Sequence, residues 1–156
     1  MMKEAGCEEV SFGIESGDRS VLNLLNKGSS VGVNTQSIIN AKKANILTRA
    51  LMMMGTPGET RDTLYKNMNW VEVARPDMVS LKIFIPYPGT DIYHNPKKYK
   101  CKIHLPLIEV NNSAYRPDDS EARANIDSEK LYAEELTWQF HNMKNYLETR
   151  GISNRG

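Results

Sequence analysis

Apolar runs and helical stripes alternate along the first 93 residues. Val10, Phe12 and Ile14, with Gly13 bare between them, predict a short strand over 10–14 that ends at Ser16-Gly17-Asp18, a turn and a helix cap. Val21, Leu22, Leu24 and Leu25 give a helix its apolar face, and Gly28 ends it. Asn34 is placed to cap a second helix, with Ile38, Ile39 and Ala41 on one side up to Ala44. Residues 47–54, LTRALMMM, read as a parallel strand covered on both faces, because such strands are continuous apolar runs; Met52, Met53 and Met54 would then pack on both sides. Leu64, Met68 and Val71 predict a helix over 60–74, which Pro76-Asp77 breaks. A third apolar run, 78–85, ends in Pro86-Tyr87-Pro88-Gly89-Thr90.

Outside this alternation the signals are sparser. Residues 1–6 read as the last turn of a helix, closed by Gly6. From 94 to 126 the pattern dissolves into an irregular connection, with a short strand expected near 103–110. A terminal helix is expected over 127–151: Asp127 caps it, Ile126 and Leu131 form a hydrophobic staple, Leu136, Phe140, Met143 and Leu147 make its stripe, and Gly151 closes it. Strands alternating with helices predict an α/β fold of parallel β-α units with right-handed crossovers. FGIESG, MMGTPGE and FIPYPGT, each a strand running into a glycine-containing turn, therefore meet at one end of the sheet, where such folds bind ligands.

Composition narrows the function. With 156 residues, 40% of them hydrophobic and 25% charged, the chain suffices for one domain with a real core. Its net charge of +1 supplies no footprint for nucleic acid or an anionic membrane. No apolar stretch approaches the ~20 residues that span a bilayer. MMKEAGCEEV has no secretory pattern, so a cytoplasmic, reducing location is expected. Cys7 and Cys101 lie too far apart to form a metal-ligand pair by spacing, and His94, His104 and His141 have no partner at ligand spacing.

Several residues are open to two readings. Glu15 and Ser16, at the end of the first strand, fit either a diol or ammonium ligand or a plain turn. Gly55 and Gly58, with Pro57 stiffening the turn, allow bare backbone to meet a ligand, or simply connect strand to helix. Glu59 reads as a helix-start carboxylate favoured by the dipole, and Arg49 as a snorkelling or structurally paired cation. Lys82 faces a cavity or an exposed edge, and Tyr87-Pro88-Gly89 walls a planar ligand or ends a strand.

The order VSFGIESG, LNLLNKG, MMMGTPGET, IFIPYPGTDIY resembles the second half of the radical S-adenosylmethionine barrel, nearest the cobalamin-associated group related to anaerobic magnesium-protoporphyrin cyclases. The resemblance covers residues 1–93 and implies the last three strands of a partial TIM-type (β/α)6 barrel. It further implies cofactor binding by Glu15 and Ser16 at ribose and the methionyl part, by Met54, Gly55, Thr56, Pro57 and Gly58 at adenine, and by Ile85, Pro86 and Tyr87 along its border. Members of that family hold a [4Fe-4S] cluster in a CxxxCxxC loop, which a chain with two cysteines cannot build. The expectation is thus a fragment of an Fe-S oxidoreductase, inactive alone, whose partner is the amino-terminal half of the barrel. Cluster, small-molecule substrate and any cobalamin would belong to the full-length parent. Two competing readings are a stand-alone binding or assembly module that pairs through an open sheet edge, and a hydrolase or lyase with Glu15 or Glu59 as base.

Overall fold

The computed structural model of the protein describes residues 1–104 and 122–152. Three strands, β1 (Glu9–Glu15), β2 (Leu47–Met54) and β3 (Met78–Ile83), form a parallel sheet in the order β1-β2-β3. Between them run α1 (Arg19–Leu24), α2 (Val31–Lys43) and α3 (Arg61–Ala74). The chain continues through a single turn, α4 (Asp91–His94), and a 3-10 turn (Pro96–Tyr99) into an antiparallel pair, β4 (Cys101–Ile103) with β5 (Ile126–Ser128), and ends in α5 (Ala133–Thr149).

The α/β alternation and the parallel pairing are as the sequence predicts, but the sheet is covered on one face only. Burial along β2 alternates strictly: Thr48, Ala50, Met52 and Met54 are buried, whereas Leu47 and Leu51 are exposed and Arg49 and Met53 half-buried. Hydrophobic side chains of the buried face join Ile38 of α2, Trp70 and Val71 of α3, and Leu136, Phe140 and Leu147 of α5 in one core. In-register neighbours of a parallel sheet point the same way, so the open face carries Ser11 and Gly13 of β1, Arg49, Leu51 and Met53 of β2, and Met78, Ser80 and Lys82 of β3. Met53 thus departs from Met52 and Met54, and the two-sided cover read from the apolar run gives way to a period of two. Arg49, placed on that face, is held by Glu9 of β1 at 2.8 Å, which is the structural role expected of it.

Local signals explain most boundaries, with two corrections. Ser30, not Asn34, caps α2, its hydroxyl accepting from Val33 N. Asn34 lies one turn inside, where its amide donates to Ile14 O at 3.3 Å and accepts from Ser29 Oγ at 2.5 Å, tying α2 to the end of β1. Thr60 and Thr63 cap α3 reciprocally, and Arg75 ends it in a left-handed conformation before Pro76. Asp127 belongs to β5, so the final helix starts at Ala133 rather than at the residues after 127. Ile126, which the staple would have needed outside a helix, pairs instead with Ile103. The carboxylate of Asp127 nevertheless accepts from Ala133 N at 2.8 Å, capping α5 from the neighbouring strand. β4 meets the strand expected near 103–110 only at Ile103, and residues 105–110 lie outside the described residues.

Candidate functional site

Parallel pairing brings the three strand ends to one rim. β1 closes irregularly: its register with β2 shifts between Gly13 and Glu15, and Glu15 has φ 62°. That conformation costs a non-glycine residue about 1–2 kcal/mol and swings the carboxylate back over Gly13, where Lys27 meets it at 2.7 Å. Ser16 is fully buried; its hydroxyl donates to Asn67 Oδ1 at 2.8 Å, and Gly17 N donates to the same oxygen at 2.6 Å. Asp18 caps α1 and pairs with Lys66 at 3.0 Å; burial opposes its charge, but bonds from Ser20 and Lys66 outweigh burial and hold the carboxyl down to about 2.

At the end of β2 the turn folds around Glu59. Its side chain is 1% exposed, and it accepts from Gly55 N, from Thr56 N at 3.1 Å and from Asn67 Nδ2 at 3.2 Å. Burial pushes this carboxyl up to about 7, against the pull of those three donors. Asn67 is therefore a bridge, with one end of its amide on the β1 turn and the other on the β2 turn through Glu59. Glu59 is a turn-organising group rather than a dipole-stabilising one. Thr56 is also buried, and its hydroxyl has no hydrogen-bond partner. Gly55 has φ 88°, and a Cβ there would overlap Leu136 of α5. One on Gly58 would overlap Leu24. The missing side chains make room for Leu136 and Leu24, so close packing of the strand-to-helix connection accounts for both glycines.

At the end of β3, Phe84 N donates to Met54 O at 2.7 Å, so pairing runs one residue past the strand. Ile85 and Pro86 are buried and Tyr87 is exposed; Tyr87 O accepts from Thr90. Phe84 continues the open-face alternation of Ser80 and Lys82 and forms, with Pro57, Leu24, Leu25, Ile92 and Tyr99, a predominantly apolar cavity of about 240 Å3 at the rim. Asp91 fixes one wall by accepting from Tyr99 Oη at 2.6 Å and from Lys98 and Asn95.

Of the residues singled out from sequence, Glu15, Ser16, Met54, Gly55, Thr56, Pro57 and Gly58 are drawn into one connected rim, while Tyr87 sits on its outer lip. Sequence reasoning missed Asn67, Lys27 and Phe84. Asn67 stands three residues from both Leu64 and Trp70, a polar residue among apolar neighbours on a helix face, and that was the available signal. His104 has a carboxylate partner after all, Asp127 at 2.8 Å. Among the described residues no group of three or more histidines, cysteines or carboxylates stands ready for a metal ion. The two cysteines do not fit an iron-sulfur cluster: Cys7 stands before β1, and the buried Cys101 opens β4.

No family model matches the chain. It is 32% identical over 92 residues to an uncharacterised methyltransferase of Pyrococcus horikoshii, covering 59% of this chain and 20% of that protein. It is 28% identical over 91 residues to an anaerobic magnesium-protoporphyrin IX monomethyl ester cyclase of Cereibacter sphaeroides, covering 58% and 15% respectively. Its fold is similar to that of an amino-terminally deleted Elp3 of Methanocaldococcus infernus, with a TM-score of 0.58 and 18% identity, over 97% of this chain and 38% of that one. The chain thus spans about a fifth or less of the length of these curated relatives.

Proposed function

From its homology to radical S-adenosylmethionine enzymes of the methyltransferase and magnesium-protoporphyrin cyclase type, we propose that this chain forms the carboxyl-terminal wall of such a barrel and carries part of its adenosyl pocket. The supporting observation is the pairing of a one-sided parallel sheet with an apolar cavity at its carboxyl rim. Parallel sheets are stable when both faces are covered, so the open face of β1-β2-β3 is the inner wall of the barrel. Its polar and charged residues, Ser11, Arg49 and Lys82, suit a ligand-bearing interior better than a second apolar layer.

Three features of the rim fit an S-adenosyl ligand. The orphaned, buried hydroxyl of Thr56 offers a donor and acceptor beside the turn. Pro57 and Phe84 supply apolar walls for a flat base, and Glu15 an acceptor for a diol or ammonium. Bound beside a reducing cluster, such a cofactor would supply one-electron radical chemistry. The residues of this chain bind, orient and shield it. Cluster ligands, substrate and any cobalamin belong to the amino-terminal part of the barrel, whose strands pair with the outer edge of β1, and the chain by itself is inactive. A reducing cytoplasmic setting suits its two free cysteines.

Titration of the isotopically labelled chain with S-adenosylhomocysteine tests this reading. Shifts are expected at Glu15, Thr56 and Phe84, with a dissociation constant in the millimolar range, about −4 kcal/mol, because much of the pocket is supplied from elsewhere. Unmoved rim resonances at saturating ligand, or micromolar affinity, would contradict it. The open edge of β1 also supports a second reading, an assembly module that pairs with another copy of itself. A monomer by light scattering would dispose of that one.

A further inference from the structure

Two rim turns that lie far apart in the chain share one buried side chain. Asn67, on the second turn of α3, is 0% exposed and bonds in two directions. Its oxygen accepts from Ser16 Oγ at 2.8 Å and from Gly17 N at 2.6 Å, which fills both lone pairs, and its nitrogen donates to Glu59 Oε1 at 3.2 Å. Neither contact has room to slide. A Cβ on Gly17 would stand 2.6 Å from Trp70 Cβ and 2.8 Å from Lys66 O, so the β1 turn lies directly on the backbone of α3. Glu59 immediately precedes the Thr60 cap of that helix, and its other oxygen accepts from Gly55 N and Thr56 N.

An amide placed this way relays charge. Ionising Glu59 strengthens the bond that Asn67 donates, the polarised amide puts more negative charge on its oxygen, and the bonds from Ser16 and Gly17 tighten in turn. We propose that Asn67 is a positioning residue that makes one unit of the turns after β1 and β2 and carries the charge state of Glu59 across to Ser16 and Gly17. Burial raises the Glu59 carboxyl to about 7, so its ionised fraction climbs from about one-tenth at pH 6 to about nine-tenths at pH 8. Asp18, whose charge opposes that of Glu59, and its partner Lys66 face the network from the β1 turn and from α3. Tyr99, Lys100, Glu129 and Lys130 share with Glu59 a small pocket of about 120 Å3. Asp18 is held down to about 2 and stays ionised throughout that range. The consequence for a ligand rests on the adenosyl reading above: a rim tied into one unit is better prepared for the nucleoside.

Amide shifts of the labelled chain from about pH 5 to about pH 9 test the link without any ligand. In the unaltered chain Gly55, Thr56, Ser16 and Gly17 should share one midpoint at about 7, with Gly17 moving downfield as the pH rises. Glu59→Gln should abolish that midpoint at all four. Asn67→Leu should keep it at Gly55 and Thr56, raised because the carboxylate loses a donor, and remove most of it at Ser16 and Gly17. Asn67→Thr, polar but too short to span both turns, should do the same, and it decides the matter if the leucine variant does not fold. Ser16 and Gly17 following Glu59 undiminished in these variants, or ignoring pH in the unaltered chain, would overturn the link. S-adenosylhomocysteine reads the consequence: it should bind about threefold more tightly at pH 8 than at pH 6 in the unaltered chain, and equally at both in Asn67→Thr. A pH preference that survives the loss of Asn67 would overturn its positioning role. No binding at any pH would refute the adenosyl reading, with the link still decided by the amides.

Discussion

Replacing Glu59 with Gln probes the group on which the rim turns. The carboxyl has an ordinary value of 4.5 and is raised to about 7 by burial, so the folded chain holds this proton more tightly than the unfolded chain does. Raising the pH from about 4.5 therefore strips the unfolded state first, and stability falls until about pH 7, beyond which both states are ionised and the loss is constant. The gap between 4.5 and about 7 is worth roughly 3 kcal/mol. A glutamine has no proton to lose, so its stability lacks that slope. It does place an amide donor where Asn67 already donates, and Asn67 cannot turn round because Ser16 and Gly17 occupy its oxygen. That conflict costs about 1–3 kcal/mol at every pH. Urea unfolding at steps between pH 4.5 and 8 should show the variant weaker by about 1–3 kcal/mol at the acid end, and the native protein losing roughly 3 kcal/mol toward the alkaline end, so that the gap closes or changes sign there. Asp18, Asp77 and Asp127 are depressed rather than raised, act below their ordinary value of 3.8, and are present in both proteins, so they cancel in the difference. Parallel curves for the two proteins would refute the reasoning.

Other expectations follow from the same geometry. Gly55→Ala combines a positive φ with a Cβ set against Leu136, and should cost roughly 2–4 kcal/mol in chemical denaturation. Adding Leu136→Ala should make the pair cost at least about 1 kcal/mol less than the sum of the single losses; strict additivity would show that the two positions do not meet. Asp127→Ala removes the acceptor for Ala133 N and the partner of His104 and should cost about 1 kcal/mol, read as a lower melting temperature, with the native contribution fading as pH falls below 3.8. Arg61→Ala, which removes the exposed partner of the half-buried Glu135, should leave the denaturation midpoint nearly unchanged.

The elements were legible wherever one local cause dominated. Leu64, Met68 and Val71 announced α3 by spacing, and the β-branched and aromatic run 78–85 announced β3. Caps were harder, because Ser30 and Asn34 are both good candidates and only the contact of Asn34 with Ile14 O explains why the second was drawn inward. The one-sided sheet was hidden for a different reason: LTRALMMM is apolar at nearly every position, so its period of two surfaces only in burial. At the rim, the glycines were visible but their purpose was not, since Leu136 and Leu24 come from distant parts of the sequence. Asn67 and Glu59 were invisible as a pair because they act across eight residues, from the turn before α3 to its second turn.

The overlap that a side chain at Gly55 would make with Leu136 has a consequence for biosynthesis. At about 5–20 residues per second, several seconds separate the emergence of the GTPG turn from that of the helix that braces it. A nascent chain can form its strands early but must hold the rim slack until its tail has been made. Ribosomes stalled before α5 should therefore display a segment whose turn is readily cut by proteases, even though the sheet behind it is already in place.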